Sequence, residues 1–181
     1  MSTAALRVRF ERRPVVIVMG VSGSGKSTIG AALAQQLGVP FLDGDNFHPE
    51  ANVSKMSQGI SLTDDDRWPW LEALGKAMRK KAEQSGGVIA ACSALKCIYR
   101  DKLSGHIELP MVYALLDGER DTLFKRMNAR RDHYMPASLL ESQLADLERP
   151  RPDEPVLTVS IEQDVDSIVD ELMTVLGTLS N

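Results

Sequence analysis

The sequence predicts a three-layer α/β protein, in which a five-stranded parallel sheet carries helices on both faces. Strand-like and helix-like segments alternate along the chain, which is the order that a parallel sheet requires. Each strand-like segment is a continuous apolar run, as expected for strands that are buried on both sides. The first run passes directly into a glycine-rich loop, and a helical segment follows that loop.

The first half of the chain supplies two strands and two helices of this sheet. Val15–Met19 is rich in β-branched residues, and the helix after the glycine loop ends where Gly38 provides a stop signal. Asp64–Asp66 favours a helix start, by capping and by charge. The predicted elements are a strand at 15–19, a helix at 26–37, a strand at 41–42 that runs into Asp43, and a helix at 64–85 with Trp70, Leu74 and Met78 on one stripe.

The second half supplies the remaining three strands and four helices. A turn at Pro150–Pro152 precedes the last strand. The final helix has the apolar spacing of an amphipathic segment. The predicted elements are strands at 87–92, 111–116 and 156–159, and helices at 96–103, 119–130, 137–147 and 165–176.

Length and charge limit the classes of protein that are possible. The 181 residues suit one domain, which we place at 14–181 after an N-terminal extension at 1–13. The net charge of −4 gives no overall positive field, so no nucleic-acid partner is expected. No apolar run approaches the roughly 20 residues that span a bilayer. We therefore expect a cytoplasmic protein without a membrane partner.

The glycine-rich loop is a complete Walker A pattern, Gly20-Val-Ser-Gly-Ser-Gly-Lys-Ser27. Its glycines let successive backbone N–H groups point into one concavity that holds the phosphates of ATP. Lys26 is expected to reach the β- and γ-phosphates, and the Ser27 hydroxyl to hold Mg²⁺. A glycine-rich hairpin is the alternative, which the flanking strand and helix disfavour. The predicted ATP-binding residues here are Gly20, Ser22, Gly23, Ser24, Gly25, Lys26, Ser27 and Thr28.

A P-loop alone does not distinguish a kinase from a GTPase or a motor ATPase. The base-reading Asn-Lys-x-Asp motif of GTPases does not occur in the sequence. Motor ATPases are usually larger. The short chain and an arginine-rich, lid-like segment favour a small-molecule kinase.

Two carboxylates follow the second strand, at the sheet edge where α/β proteins bind ligands. We expect Asp43 to support hydrated Mg²⁺ together with Ser27. We expect Asp45 to orient the acceptor hydroxyl and to receive its proton. A plain Asp-Gly turn is the alternative.

Several longer segments resemble those of the gluconate kinases, a family of P-loop small-molecule kinases. They are Asp43-Gly-Asp-Asn-Phe-His-Pro49, Asn52-Val-Ser-Lys-Met-Ser-Gln-Gly59, Leu62–Leu71, Cys92-Ser-Ala-Leu-Lys96, Arg126–Met135, Ser142-Gln143 and Leu147–Pro150. The resemblance covers nearly all of the chain from Val15 onward. It implies ATP-dependent phosphorylation of D-gluconate on its 6-hydroxyl, a fold shared with shikimate and nucleotide kinases, a mobile lid and a homodimer.

Gluconate is a small anion with many hydroxyl groups, so its recognition needs a cation and short polar side chains. Arg67 is the best candidate to bind the gluconate carboxylate. A structural ion pair with Asp64 or Asp66 is an equally good explanation for an arginine at this position. His48, Lys55 and Lys96 lie in segments that are expected to flank the acceptor. For His48, a structural role is as good an interpretation as contact with the substrate. For Trp68 and Trp70, packing is a better interpretation than a platform for the sugar.

The predicted lid, at about 130–138, follows a basic helix end. A closing lid can bring a guanidinium to the transferred phosphoryl group and exclude water. The resemblance implies that Arg126 lies near the adenine and that Arg130 contacts the phosphates. The alternative is a solvated helix end, which we prefer for Arg131.

Three other functions remain open at this level. A shikimate kinase would normally carry three glycines after the third strand, where this chain has Ala90-Ala-Cys-Ser93. A nucleotide kinase needs a base pocket in the acceptor region, which here is rich in charge and hydroxyls. A regulatory module that binds ATP without transferring phosphate is the third alternative.

Overall fold

The computed structural model describes residues 13–129 and 137–179. Its elements are β1 (Val15–Met19), α1 (Lys26–Leu37), β2 (Phe41–Asp43), a 3₁₀ helix (Gly44–Phe47), α2 (Glu50–Ser57), α3 (Asp64–Ser85), β3 (Val88–Ala91), α4 (Cys97–Ile107), β4 (Val112–Asp117), α5 (Arg120–Ala129), α6 (Ala137–Asp146), β5 (Val156–Ser160) and α7 (Val165–Leu179).

The five strands form one parallel sheet in the order β2-β3-β1-β4-β5. β1 lies at the centre, so the loop that follows it reaches the middle of the carboxyl edge. Side chains alternate along β1: Val16 and Val18 join one apolar cluster, while Val15, Ile17 and Met19 join the other. The predicted fold class is confirmed.

Helices cover both faces of the sheet. The cluster on one face contains Leu33 of α1 and Leu172 of α7, and the cluster on the other face contains Leu74 of α3 and Leu103 of α4. The stripe predicted on α3 is buried at Trp70, Leu74 and Met78. No helix in the described ranges is both long and apolar enough to cross a membrane.

The predicted elements are all present, with small shifts at their ends. α4 runs to Ile107 rather than Leu103, and α3 is capped by Thr63 together with Asp66, one of the three aspartates predicted to start it. The Thr63 hydroxyl accepts the N–H of Asp66, and the Asp66 carboxylate accepts the N–H of Thr63. The 3₁₀ helix and α2 were not predicted. α2 buries one residue, Asn52, so it has no apolar stripe to reveal it.

The ends of the chain and the lid are described only in part. Of the predicted N-terminal extension only Arg13 is described, and it donates to the Gly38 carbonyl at 2.6 Å. The predicted lid lies outside the described residues, except where 137–138 begin α6.

Candidate active site

A cavity of about 430 Å³ opens at the carboxyl edge of the sheet. It is lined by residues from the loops after β1, β2 and β3 and from helices α2, α3, α5 and α6. Ser22 and Lys26 from the predicted phosphate cradle line it together with Asp45, His48 and Arg67 from the predicted acceptor segments. Residues proposed for two different substrates therefore line the same cavity.

The Walker A loop has the backbone conformation that its glycines allow. Gly20, Gly23 and Gly25 have φ values of 143°, 83° and 93°, which favour glycine because other residues are strained there. A Cβ on Gly23 would lie 2.9 Å from the Met127 Cγ and 3.0 Å from the Leu123 carbonyl oxygen. The loop is thus shaped by its own backbone and by close contact with α5.

Two of the predicted ATP-binding side chains make hydrogen bonds within the loop, and a third does not line the cavity. The buried Ser24 hydroxyl donates to the Val21 carbonyl at 2.8 Å, and the Lys26 ammonium donates to the same carbonyl at 3.1 Å. Thr28 is exposed in the first turn of α1 and does not line the cavity. Ser24 therefore shapes the loop, while Lys26 borders the cavity.

The two carboxylates after β2 have separate surroundings. Asp43 accepts the Ser27 hydroxyl at 2.8 Å through Oδ2 and the N–H of Asp45 at 3.0 Å through Oδ1. Asp45 is exposed and lines the cavity. The described residues contain no cluster of three or more His, Cys, Asp or Glu side chains suited to a metal. One carboxylate and one hydroxyl beside a phosphate cradle do fit Mg²⁺, which takes most of its ligands from phosphate and water.

His48 lines the cavity, and its ring is uncharged at neutral pH. It stacks on Trp70 with ring centroids 4.0 Å apart, and the Trp70 indole N–H donates to the Gly44 carbonyl at 2.7 Å. Burial lowers the pKa of His48 to about 4; Asp45 opposes this effect and Arg67 adds to it. Trp70 both packs in the core and lines the cavity, which the sequence did not reveal.

Lys55 lies away from the cavity, although it was predicted to bind substrate. Its ammonium donates to both carboxylate oxygens of Asp66, at 2.7 and 2.8 Å. The Lys55 hydrogen bond, with those from Thr63, lowers the pKa of Asp66 to about 2. Asn52 donates to the Asp66 backbone carbonyl at 2.8 Å. These contacts fasten α2 to the start of α3.

Arg67 belongs to a group of four charges that we call the acceptor charge cluster: Arg67, Lys96, Asp64 and Asp146. Arg67 lies 3.9 Å from Asp64 and 3.8 Å from Asp146, and Lys96 lies 3.3 Å and 3.7 Å from the same carboxylates. Both cations lie over the ring of Tyr99, 5.1 and 5.5 Å from its centroid. Arg67 thus lines the cavity and also has the ion pair with Asp64 that the alternative interpretation required.

Tyr99 fixes one of the two carboxylates in this cluster. Its hydroxyl donates to Asp64 Oδ1, and this hydrogen bond is the largest of the effects that lower the pKa of Asp64. Lys96 also donates to the same oxygen at 3.3 Å.

Helix α6 contributes polar groups to the cavity that the sequence did not identify as site residues. The Gln143 side-chain oxygen accepts the N–H of Ser22 at 2.6 Å, and the Ser142 and Ser61 hydroxyls are 3.0 Å apart. Asp146 reaches Arg67 from the last residue of the helix. Ser142-Gln143 belongs to the resemblance quoted above, but sequence spacing gave no indication of which loop these residues meet.

A buried arginine supports the loop between β3 and α4. Arg100 is 1% exposed, and its Nη1 donates to the carbonyls of Ala94 and Leu95, each at 3.1 Å. Ala94 has a positive φ of 45°, which is strained for a residue with a Cβ. Ser93 and Leu95 on this loop line the cavity. Glu154 pairs with Arg100 and completes the support.

The two arginines predicted near ATP differ in what can be described. Arg126 donates from Nη2 to the Ile161 carbonyl, just after β5, at 2.7 Å. Its neighbour Met127 lines the cavity. Arg130 lies outside the described residues, as do Arg131 and the lid that would carry them.

Comparisons with known proteins agree on one group of kinases. The family model for shikimate kinase matches residues 22–175. A gluconokinase of Gluconobacter oxydans is 47% identical over 158 residues, covering 87% of this chain and 88% of that protein.

Solved structures give the same picture. The crystal structure of a gluconokinase from Sinorhizobium meliloti is 45% identical, with a TM-score of 0.83 and 95% of each chain covered. A shikimate kinase from Bacteroides thetaiotaomicron has a TM-score of 0.63 at 20% identity, covering 91% of this chain and 98% of that one, which shows the shared fold alone.

Proposed function

This chain belongs to the gluconokinase family within the shikimate kinase-like P-loop kinases, and from that membership we propose that it phosphorylates D-gluconate with ATP. The γ-phosphoryl group would pass to the 6-hydroxyl by in-line transfer, giving 6-phosphogluconate. The observation that carries the proposal is the single cavity shared by Lys26 of the phosphate cradle and by Asp45 and Arg67 of the acceptor segments.

The donor half binds and stabilises phosphates through its backbone. Backbone N–H groups of the Walker A loop would bind the phosphates, and the ammonium of Lys26 would offset the charge that develops during transfer. Arg126, which donates to the Ile161 carbonyl just after β5, is the residue proposed to lie near the adenine, as the family resemblance implies.

Ser27 and Asp43 are the residues that would hold Mg²⁺. When bound, Mg²⁺ neutralises phosphate charge and orients the transferred group. With Asp43 engaged by Ser27, the exposed Asp45 is left to orient the acceptor hydroxyl and to take its proton.

The acceptor half would recognise a polyhydroxy acid by one charge and several polar contacts. Arg67 is the group proposed for the carboxylate, since a guanidinium binds carboxylate with two parallel hydrogen bonds. His48, with its pKa of about 4, is uncharged at neutral pH and offers a hydrogen bond to a sugar hydroxyl.

Replacement of Arg67 by lysine should raise KM for gluconate at least tenfold with little change in KM for ATP, because the fork geometry is lost.

Two of the predicted site residues take a different place in the proposal. Lys55 acts through Asp66 as an anchor of α2, and Lys96 acts within the acceptor charge cluster.

Arg130 remains the proposed lid arginine, and Arg130→Ala should lower turnover on the order of 10³-fold if it acts as an arginine finger. A loss smaller than tenfold would move that role to another residue.

The direct test is a coupled assay of ADP release with a panel of acceptors. Gluconate should raise ATP turnover far above the rate without acceptor, while shikimate and nucleoside monophosphates should not. Stimulation by shikimate or a monophosphate alone would select the corresponding kinase class. ATP binding with no stimulation by any acceptor would indicate a regulatory module.

The family resemblance also supports a homodimer in the cytoplasm, where ATP is available. Sedimentation velocity on the full chain tests the oligomeric state, with about twice the 19.9 kDa chain mass expected. A single species at the monomer mass would contradict it.

A further inference from the structure

The acceptor charge cluster is electrically balanced before any substrate arrives. It contains two cations, Arg67 and Lys96, and two carboxylates, Asp64 and Asp146. A sugar acid that uses Arg67 adds a third negative charge to this group. Like charges held together in a partly buried site repel strongly. One of the two resident carboxylates must therefore give way, or the substrate is bound weakly.

The two carboxylates differ in how firmly they are held. Asp64 lies at the start of α3, where the Tyr99 hydroxyl and the Lys96 ammonium donate to its Oδ1. Asp146 meets the same cations at 3.8 and 3.7 Å, which is longer than a hydrogen bond. It is also the last residue of α6 and lines the cavity, whereas Asp64 does not. Asp146 is therefore the carboxylate that can be exchanged.

We propose that Asp146 is an exchangeable counter-ion of the acceptor site, which the carboxylate of the sugar acid replaces on Arg67. This role rests on the proposed function, because it takes the acceptor to be an aldonate bound by Arg67. In the empty site Asp146 keeps the cations neutralised, so that other small anions gain little by entering.

The same exchange assists release of the product. The phosphorylated sugar acid carries its carboxylate and a phosphate group, and is more negative than the substrate. When Asp146 returns to Arg67 it competes with the product carboxylate for the same guanidinium. Asp146 thus affects both which anions bind at Arg67 and how fast the product leaves, without touching the transferred phosphoryl group.

The test is Asp146→Asn, which keeps the shape of the side chain and removes its charge. Calorimetry should show gluconate and 6-phosphogluconate both binding about tenfold more tightly, because one like charge is gone. KM for gluconate should fall, kcat should fall as product release slows, and KM for ATP should stay the same. The gain in affinity should shrink as salt is raised.

A matched control exists on the same helix. Glu141 is exposed, pairs with Arg120 and does not line the cavity. Glu141→Gln removes the same charge from α6 and should leave gluconate affinity unchanged. Asp146→Glu retains the charge and should keep affinity near that of the wild type. Thermal unfolding of each variant reports whether the fold is intact.

The sign of the change decides the matter. Weaker gluconate binding by Asp146→Asn would mean that Asp146 itself holds the sugar or fixes Arg67, and it would overturn the inference. A change equal to that of the Glu141→Gln control would also overturn it. If the wild type binds no gluconate, the proposed function falls and this inference with it; the other two results overturn the inference alone.

Discussion

The two halves of the cavity bind with different parts of the chain. The donor half is a backbone structure: the glycines at 20, 23 and 25 have positive φ values, and Ser24 and Lys26 fold back onto the Val21 carbonyl. The acceptor half is a side-chain structure, built from a stacked pair of rings and four alternating charges. The first depends on one short stretch of sequence, whereas the second depends on segments that meet only in the folded chain.

This difference has a functional meaning. A backbone cradle recognises phosphate, which every kinase of this fold must bind, and it tolerates few changes. A wall of side chains can be altered residue by residue, which suits the part that distinguishes one acceptor from another. Variants should therefore affect one half at a time, and the four below are ordered from the largest expected effect to the smallest.

Asp45→Asn should damage the chemistry of the acceptor half while leaving the donor half intact. We expect kcat to fall by roughly 10²- to 10⁴-fold, because the proton acceptor for the hydroxyl is lost. ATP affinity, measured by calorimetry without acceptor, should be unchanged. Asp65→Asn is the matched control, since Asp65 is exposed and does not line the cavity. Turnover within a few-fold of the wild type would remove Asp45 from the role of base.

Gly23→Ala should damage the donor half alone. The added Cβ would press on the Met127 Cγ at 2.9 Å and the Leu123 carbonyl at 3.0 Å, at a φ of 83° that disfavours alanine. A strain of about 1–3 kcal/mol should weaken ATP binding by about ten- to a hundredfold. Gly105→Ala on α4, where the Cβ would meet nothing within 4 Å, serves as the control. Equal ATP affinity in both variants would show that ATP binding does not depend on the backbone conformation at Gly23.

Gln143→Ala tests the one described hydrogen bond that joins α6 to the cradle. Loss of its contact with the Ser22 N–H should weaken ATP binding by about three- to tenfold, the net value of one partly buried hydrogen bond. Steady-state kinetics should show this change in KM for ATP more than in kcat. Gln35→Ala, on the exposed face of α1, is the control. A larger effect on gluconate than on ATP would place Gln143 in the acceptor half.

His48 should make the stability of the acceptor half sensitive to pH. Its pKa is about 4 in the folded chain and about 6.5 when unfolded, so the unfolded state binds the proton more readily. The contribution of His48 to the free energy of unfolding is fully present above pH 6.5 and is lost as the pH falls toward 4. The loss should be about 1 kcal/mol, because the half-buried ring is partly screened. Denaturant unfolding at pH 7 and pH 4.5 measures it, and His48→Gln should lack this part of the pH dependence.

The same contrast explains what could be predicted from sequence. The sheet, its helices and the cradle follow from apolar runs and glycines that are close together in the chain, and the fold prediction was confirmed. α2 was missed because it buries only Asn52. Lys55 was placed in the acceptor site because its segment lies there, but its charge is taken by Asp66. Asp146 and Gln143 act through partners distant in sequence, which no local pattern reveals.

The light attachment of α2 has a consequence for how acceptor preference can change. The 3₁₀ helix and α2 lie between two fixed points, the end of β2 and the capping box of α3, and α2 is fastened there mainly by Asn52 and Lys55 on Asp66. No residue of α2 belongs to either apolar cluster, so α2 can be exchanged without repacking them. Grafting residues 50–57 from a related kinase is thus the shortest route to an enzyme for another sugar acid.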